Sequence, residues 1–468
     1  MPSSFPLAAI RILRPLQGHR PLSSNNLAAL ADSLQEPEEE HTHAVESNPT
    51  DPITLCNEFD RMRAIEDLRN QLIKADFTDI DIVPISLSTT VDVSDALAKE
   101  MKTYNERGQE LVVFQLCDGT ELDGYPGVSM IHELEKRKIP YTGSDSAFYI
   151  ISSSKPILKR ELQKANVPTS SFEEFIDSPK MVDLDNIIKD IGFPMIVKPS
   201  ISYASINISM KSVVHTPEDL LEQVNLSLSA SKAGSKLPDR VLKGHTEEQK
   251  ERDQWNAKVL KKEQMMEIDI ETPTVFVESY LAGREFTALV IGDKDWGVRV
   301  YPVAERAFDP KLGKFERLLA FEQYWNGYDL EGSVGNDDDF CKYEMANGAW
   351  QAHLQQVAKD AYLALDGSGY GRVDIRTVET DTCEPVVLEV NANCGISFDK
   401  NSSSLANILM MSNVSPPGFV RDLIDHAIHR NNRVNHSADH KLLMPHLANV
   451  TVVHASAAQH AQKILVQS

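Results

Sequence analysis

Two short strands near the C-terminal end constrain the fold of this chain more than any other stretch. Residues 371–376 read Gly-Arg-Val-Asp-Ile-Arg and residues 388–391 read Leu-Glu-Val-Asn, so polar and apolar residues alternate in both. This alternation is typical of strands that have one face on a core. Residues 379–385, between them, contain Asp, Thr and Pro, which favour a turn. The sequence therefore predicts a β-hairpin.

Three polar side chains of this hairpin are expected on one face. Residues i and i+2 of a strand point the same way, so antiparallel pairing can bring Asp374, Glu389 and Asn391 together. Two carboxylates and one amide oxygen suit a Mg²⁺ ion that holds phosphates. An exposed polar sheet face with ordinary surface acids accounts for the same residues, because short motifs match easily by chance. The hairpin alone leaves both interpretations open.

Composition narrows the class of protein. At 468 residues the chain is long enough for two to four domains. Its net charge of −22 argues against nucleic acid as a partner, since a phosphate backbone calls for clustered Lys and Arg. No apolar run in the sequence is long enough to span a bilayer. The five cysteines are scattered, which favours a reducing compartment and no zinc site. We therefore expect a cytoplasmic protein without a nucleic-acid or membrane partner.

The N-terminal end allows two interpretations. The first 31 residues contain no Asp or Glu and include three arginines, a composition shared with organelle transit peptides. Three arginines are a weak signal, so we favour a first strand at 8–13 or a plain tail over a transit peptide. Residues 32–52 are acidic and contain several prolines, which predicts a mobile linker.

Helical and strand patterns alternate beyond the linker, which is typical of a parallel sheet covered by helices. Helices are predicted at 58–76, 94–104, 128–138, 155–165, 350–365, 402–411 and 417–429, and strands at 80–87, 111–116, 191–199, 209–214, 274–278, 285–291 and 299–302. Densely charged residues 229–272 predict a surface insertion, and residues 307–331 predict a long functional loop. We divide the chain into a partly disordered leader and linker (1–52), an N-terminal α/β domain (53–150), a central subdomain that carries the insertion (151–275), a C-terminal subdomain (276–430) and a tail (431–468).

Upstream of the hairpin, two lysines and two glutamates have uses in nucleotide chemistry. Lys155 opens a helix, and Lys198 ends a strand before a Ser-rich turn at 200–209. Lysines supply positive charge to phosphates, and the backbone N–H groups and hydroxyls of such a turn can lie over them. Glu278 and Glu285 stand seven positions apart across a turn, where they can accept from ribose hydroxyls or lie near an adenine amine.

This ordered set resembles the ATP-grasp superfamily, and within it the D-alanine–D-alanine ligase-like branch, over roughly residues 111–405. The motifs that carry the resemblance are Phe-Pro-Met-Ile-Val-Lys-Pro-Ser at 193–200, Val-Glu-Ser-Tyr-Leu-Ala-Gly-Arg-Glu-Phe-Thr at 277–287, Gly-Arg-Val-Asp at 371–374 and Leu-Glu-Val-Asn-Ala-Asn-Cys-Gly at 388–395. Such motifs in one order at suitable spacing are not expected by chance.

The resemblance implies a fold and an activity. The fold is α/β and α+β: an ATP-grasp fold preceded by an N-terminal parallel-sheet domain. The activity is ATP-dependent carboxylate–amine ligation, in which an acyl-phosphate forms, an amine attacks it, and ADP and phosphate leave. The resemblance also implies roles for single residues. The residues that would bind ATP are Lys155, Lys198, Ser202, Ser205, Glu278 and Glu285, and those that would bind two Mg²⁺ (or Mn²⁺) are Asp374, Glu389 and Asn391. Arg372, Gly395 and Ser404 would act in catalysis and in binding of the substrate carboxylate. A homodimer is implied as well.

The chain departs from this branch on the acceptor side. The phosphate-covering turn at 201–207 contains no glycine, and the family's Gly-rich turn with its substrate-binding Glu is not recognisable, with Glu58 only vaguely placed for it. Residues 315–325 replace the substrate-covering loop, with Arg317 in the place of a lysine. We therefore expect amino-acid-like substrates and leave the product open between a dipeptide and a secondary-metabolite amide or imine. A non-catalytic nucleotide-binding regulatory protein and a small-molecule kinase of the same fold are the alternatives.

Overall fold

Three β-sheets organise the part of the chain that the structure describes. This structure is a computed structural model, and it describes residues 8–15, 58–86, 89–117, 126–202, 207–234, 274–319, 340–400 and 403–436. The helices are α1 (Glu58–Lys74), α2 (Thr90–Glu106), α3 (Gly127–Lys136), α4 (Ser146–Ser153), α5 (Lys155–Lys164), α6 (Leu184–Ile191), α7 (Pro217–Gly234), α8 (Gly348–Ala364), α9 (Ser404–Met411) and α10 (Pro416–His436). None of these helices is both long and apolar enough to cross a membrane.

The first sheet is parallel and is built around the first strand of the chain. Strand β1 (Ala8–Pro15) lies between β2 (Ile80–Ile85) and β3 (Glu110–Gln115), pairing with both in parallel. Ile10 and Ile12 of β1 are completely buried, as expected for the central strand of a covered sheet. The strand predicted at the N-terminus is therefore confirmed, and it joins residues 8–15 to the first domain. The predicted linker at 32–52 lies outside the described residues.

The second sheet is antiparallel and carries one of the predicted lysines. Its order is β4 (Phe172–Phe175), β7 (Val275–Ser279), β5 (Met195–Pro199) and β6 (Val213–Val214). Helices α6 and α7 pack on it through a common apolar cluster that includes Leu184, Leu220 and Val224. Lys198 lies near the end of β5, which pairs directly with β7, the strand that contains Glu278.

The third sheet carries the hairpin. Its strands run in the order β11 (Cys341–Met345), β10 (Ala304–Phe308), β8 (Glu285–Asp293), β12 (Tyr370–Thr377) and β13 (Pro385–Ala392), and β9 (Gly297–Val300) also pairs with β8. Every residue of β8 is buried. Strands β12 and β13 pair antiparallel as the alternation predicted, with Asp374 opposite Glu389 and Arg372 opposite Asn391.

Several elements differ from the sequence predictions for recognisable reasons. The strand predicted at 191–199 begins only at Met195, because Leu184, Ile187, Ile188 and Ile191 form the apolar stripe of α6. The strand predicted at 209–214 shortens to Val213–Val214 after a 3₁₀ turn at Met210–Ser212. The charged insertion was placed from residue 229, but α7 continues to Gly234, and residues 235–273 lie outside the described part.

The sequence did not predict strands β10 and β11. Strand β10 overlaps the start of the region interpreted as a long loop, residues 307–331, and β11 follows that region. Ala304, Glu305 and Arg306 of β10 are all buried, although two of them are charged. Their charges are paired across the sheet, Glu305 with Arg284 and Arg306 with Glu285. A charged residue therefore interrupts the apolar pattern of a strand without leaving the core.

The C-terminal helix α10 connects the third sheet to the first domain. Its Arg430 is buried and donates to the backbone carbonyls of Gly143 (2.7 Å) and Tyr141 (2.8 Å), and to Ser368 Oγ (3.1 Å). The same guanidinium lies 4.3 Å from the centroid of the Tyr141 ring. Charged hydrogen bonds to buried carbonyls are stronger than neutral ones, so this contact holds the segment after α3 in place.

Candidate active site

The hairpin brings its predicted oxygen ligands together. Asn391 Nδ2 lies 3.0 Å from Asp374 Oδ2 and 3.2 Å from Glu389 Oε1. On the other side, Thr287 Oγ1 of β8 donates to Asp374 Oδ1 at 2.9 Å. The three side chains thus share one face, because they occupy facing positions of antiparallel strands.

Arg372 pairs with one of these carboxylates. Its Nε lies 3.0 and 3.2 Å from the two oxygens of Asp374, and its Nη2 lies 2.9 Å from Asp374 Oδ2. The two residues are two apart on β12, so they share the face that the ligands occupy. A planar guanidinium on this face can also donate to an oxyanion that develops on a substrate.

The two carboxylates ionise differently. Burial raises the pKa of Asp374, and the neighbouring Glu389 adds to this effect, while Arg372 offsets part of it. Burial also disfavours the Glu389 anion, but the positive charges of Lys155, Lys198 and Arg372 lower its pKa to about 2. Two adjacent carboxylates that repel one another are suited to share a divalent cation, which removes the repulsion.

This donor set fits Mg²⁺. Asp374, Glu389 and Asn391 offer oxygen ligands, provided that the Asn391 amide turns its oxygen toward the ion. Among the described residues no three His, Cys, Asp or Glu side chains cluster as a metal site, so a metal here needs the amide oxygen. The two-ion assignment stays a prediction.

Lys155 lies at the start of α5 and reaches the phosphate-side turn. Its Nζ donates to the carbonyl oxygen of Ser202 at 2.7 Å and lies 3.3 Å from Ser202 Oγ and 3.5 Å from Glu389 Oε2. Its backbone N–H donates to Ser200 O at 2.9 Å. This lysine therefore connects the turn to the hairpin. Ser205, the other predicted donor of the turn, lies outside the described residues.

Glu278 lies between two lysines, one of which the sequence analysis did not identify. Lys198 Nζ is 2.7 Å from Glu278 Oε1, and Lys159 Nζ is 2.7 Å from Glu278 Oε2. Burial opposes ionisation of Glu278, yet the two lysines lower its pKa to about 2. Lys159 is completely buried and also donates to Thr169 Oγ1 at 2.9 Å. Its position one helical turn after Lys155 is the signal that could have revealed it.

Glu285 is likewise surrounded by cations that were not predicted. Arg376 Nε and Nη2 lie 2.9 and 2.8 Å from Glu285 Oε2, and Arg306 pairs with Oε1. Burial disfavours the anion, but the two arginines lower the pKa of Glu285. Arg376 continues the series Arg372, Asp374 on one face of β12, which is the signal that could have identified it. Assignment of Glu285 to a ribose stays a prediction.

The remaining predicted catalytic residues lie after the hairpin. Gly395 is exposed, and a Cβ built there would meet no atom within 4 Å, so its backbone is open to a ligand. Ser404 is the first residue of α9, whose preceding Ser403 accepts a hydrogen bond from Ala406 N at 3.2 Å. The N-terminus of a helix favours an anionic group, which agrees with the predicted carboxylate role.

Comparisons with known proteins identify chains that are similar to this one. The family model described as D-ala D-ala ligase C-terminus matches residues 257–425. D-alanine–D-alanine ligase of Desulfotalea psychrophila is 25% identical over 236 residues, which are 50% of this chain and 55% of the relative. That of Desulforudis audaxviator is 23% identical over 344 residues, 74% of this chain and 87% of the relative. The chain spans about half the length of the first curated relatives that it matches.

A solved structure supports the fold over most of the chain. The crystal structure of D-alanine–D-alanine ligase from Bacillus anthracis complexed with ATP aligns with a TM-score of 0.53 and 15% identity, covering 91% of this chain and 99% of that chain. The chain therefore has the ATP-grasp fold. Its residues 257–425 match the D-ala D-ala ligase C-terminus model and its curated relatives are named D-alanine–D-alanine ligases, so the resemblance drawn from the motifs is confirmed.

Proposed function

We propose that this chain is an ATP-dependent carboxylate–amine ligase that acts on amino-acid-like substrates. The observation that carries the proposal is the position of Arg372 on the same face as Asp374, Glu389 and Asn391. A protein that only bound a nucleotide would need positive charge near the phosphates, but it would not need a guanidinium beside the metal ligands. The relatives that are named D-alanine–D-alanine ligases support ligation as the reaction type.

In the proposed reaction, the lysines and the hairpin hold the nucleotide while a carboxylate attacks its γ-phosphate. Lys155 and Lys198 contact phosphate oxygens, and Glu278 orients Lys198 through their 2.7 Å contact. Bound Mg²⁺ would neutralise the charge of the transferring phosphoryl group at the hairpin face. The attacking carboxylate oxygen forms a bond to phosphorus, and ADP leaves with the electrons of the broken bond.

The second step forms the carbon–nitrogen bond. An amine attacks the carbonyl carbon of the acyl-phosphate, and the tetrahedral oxyanion accepts hydrogen bonds from Arg372 and from the Gly395 backbone N–H. Collapse of this intermediate breaks the carbon–oxygen bond and expels phosphate, which takes up the proton that the attacking nitrogen loses, and the amide remains. Ser404, at the N-terminus of α9, receives the carboxylate of the attacking amino acid.

A pairwise assay of amino acids tests the proposal. The purified chain is incubated with ATP, Mg²⁺ or Mn²⁺ and pairs of amino acids, release of ADP and phosphate is measured, and active pairs are analysed by mass spectrometry. A ligase releases one phosphate for each amide formed. Phosphate retained on a substrate would show a kinase, and ATP binding without turnover for any pair would show a non-catalytic nucleotide-binding protein. Sedimentation of the same sample tests the predicted homodimer.

A further inference from the structure

The segment that follows β10 lies against the second sheet. Phe315 and Leu318 of residues 309–319 pack on a small apolar cluster that contains Ile196 and Tyr280. The Phe315 and Tyr280 ring centroids are 5.8 Å apart, and Tyr280 OH donates to the carbonyl of Lys314 at 3.2 Å. The segment therefore reaches from the third sheet to the second, across the connection between β7 and β8.

One buried guanidinium joins this segment to the ribose-side glutamate. Besides its two contacts with Glu285, Arg376 donates to Leu281 O at 2.7 Å and to Arg317 O. Its guanidinium also lies 5.5 Å from the ring centroid of Tyr280. The planar guanidinium of arginine can donate hydrogen bonds to a carboxylate and two carbonyls at once, whereas a lysine ammonium cannot reproduce that geometry.

Arg306 provides an internal comparison. It pairs with the other oxygen of the same glutamate, and among the described residues its other hydrogen bond goes to Tyr343 OH on β11, at 3.2 Å. Arg306 and Arg376 thus balance the same buried charge, while Arg376 is the one that reaches the carbonyl of Arg317. A comparison of the two arginines therefore separates the effect of balancing the Glu285 charge from the effect of holding residues 309–319 in position.

We propose that Arg376 is a positioning residue that couples nucleotide binding at Glu285 to the position of residues 309–319. The inference rests on the proposed function, since the ribose contact of Glu285 and the acceptor side of this segment belong to it. A nucleotide that hydrogen-bonds Glu285 changes the partner of Arg376, and Arg376 transmits the change to the carbonyls of Leu281 and Arg317. Coupling of this kind is reciprocal, so an ordered segment also favours nucleotide binding.

The test compares Arg376→Lys with Arg306→Lys by hydrogen exchange and by binding. In the unmodified protein, a non-hydrolysable ATP analogue with Mg²⁺ is expected to slow exchange of the 309–319 amides by about tenfold. Arg376→Lys is expected to lose this slowing, while Arg306→Lys keeps it even if its Kd for the analogue rises. With an active substrate pair, Arg376→Lys raises KM for the amine more than KM for ATP.

Equal slowing in both variants would overturn the proposal, and so would equal loss in both. Because exchange and analogue binding need no turnover, absence of any ligase activity would defeat the proposed function without deciding the coupling. If Arg376→Lys fails to fold, Tyr280→Phe replaces it, since it removes one hydrogen bond to the segment and keeps the buried charges. It is expected to weaken the slowing by about threefold, the effect of one hydrogen bond, and an unchanged slowing would contradict the coupling.

Discussion

Glu278 and Asp374 are both buried carboxylates of the candidate site, yet their surroundings differ. Glu278 has a lysine at 2.7 Å on each oxygen, and its pKa falls to about 2. Asp374 has Arg372 on one side and the like charge of Glu389 opposite it, and burial raises its pKa. The first carboxylate has two cations in the protein itself, while the second shares its surroundings with another anion.

This difference separates a carboxylate whose charge the folded chain compensates from one that lies beside a second anion. A buried charge is tolerated when nearby groups compensate it, and Glu278 is compensated in the folded chain alone. Under the proposed function, the pair formed by Asp374 and Glu389 would gain most from a cation bound between them. We therefore expect substitutions around Glu278 to act mainly on stability, and substitutions on the hairpin to act mainly on turnover.

The largest effect is expected on turnover, from Arg372→Ala. Loss of the oxyanion donor should lower the rate of amide formation by about 10²–10³-fold or more, as for other donors of this kind. The Kd for an ATP analogue should change little, because the phosphate-side lysines remain. Arg372→Lys keeps the positive charge but loses the planar guanidinium, so its rate of amide formation should lie between those of the unmodified chain and Arg372→Ala. Phosphate release and analogue titration measure both quantities, and unchanged turnover would remove Arg372 from the mechanism.

On the Glu278 side, Lys159→Met should reduce stability strongly. Removing one partner of a buried ion pair typically costs about 3–5 kcal/mol, because the remaining charge is left uncompensated. Lys198 still contacts Glu278, so the lower end of this range is expected here. The unfolding free energy is measured by urea titration. Adding Glu278→Gln to the variant should recover part of the loss, and a double variant no more stable than Lys159→Met would contradict the pairing.

Acid should weaken the ion pairs of Glu278 with Lys159 and Lys198 over a defined pH range. The pKa of Glu278 falls from an ordinary value of 4.5 to about 2 on folding. Stability from its ionisation is therefore complete above pH 4.5 and is lost as the pH falls toward 2. The shift corresponds to about 3 kcal/mol at most. Unfolding free energies measured across this window should vary less in Glu278→Gln than in the unmodified chain, and parallel curves would refute the assignment.

The smallest effect concerns metal binding at the hairpin without nucleotide. Mg²⁺ at about ten times its Kd should raise the unfolding free energy by about 1.4 kcal/mol. Asp374→Asn removes one carboxylate ligand and should abolish this increment, and a chelator should reverse it in the unmodified chain. Thermal unfolding with and without Mg²⁺ measures the difference. An equal increment in the variant would place the cation elsewhere.

Local patterns predicted the hairpin and the first sheet well. Alternation along β12 and β13 was enough to place Asp374, Glu389 and Asn391 on one face, because side-chain direction in a strand follows from its period. The apolar run at 111–116 likewise identified β3, since a strand covered on both faces needs no polar partner. These features depend on neighbours in sequence, so the sequence contains them directly.

Buried charges were the main features that the sequence predictions missed. Lys159, Arg306 and Arg376 look like surface residues in the sequence, because long charged side chains are mostly exposed. Arg376 is 91 residues from Glu285, its partner in the fold. Arg306 and Arg376 face Glu285 from the two neighbouring strands of the third sheet, and a single sequence does not show which strands pair.

The contacts of Arg430 limit how such proteins can exchange domains. The match to the family model ends at residue 425, but the guanidinium that holds the carbonyls of Tyr141 and Gly143 lies beyond it. A hybrid that received a foreign first domain without a matching α10 would leave those carbonyls without their donor. The N-terminal domain and the last described helix are therefore expected to be inherited, and to be transplanted, as one unit.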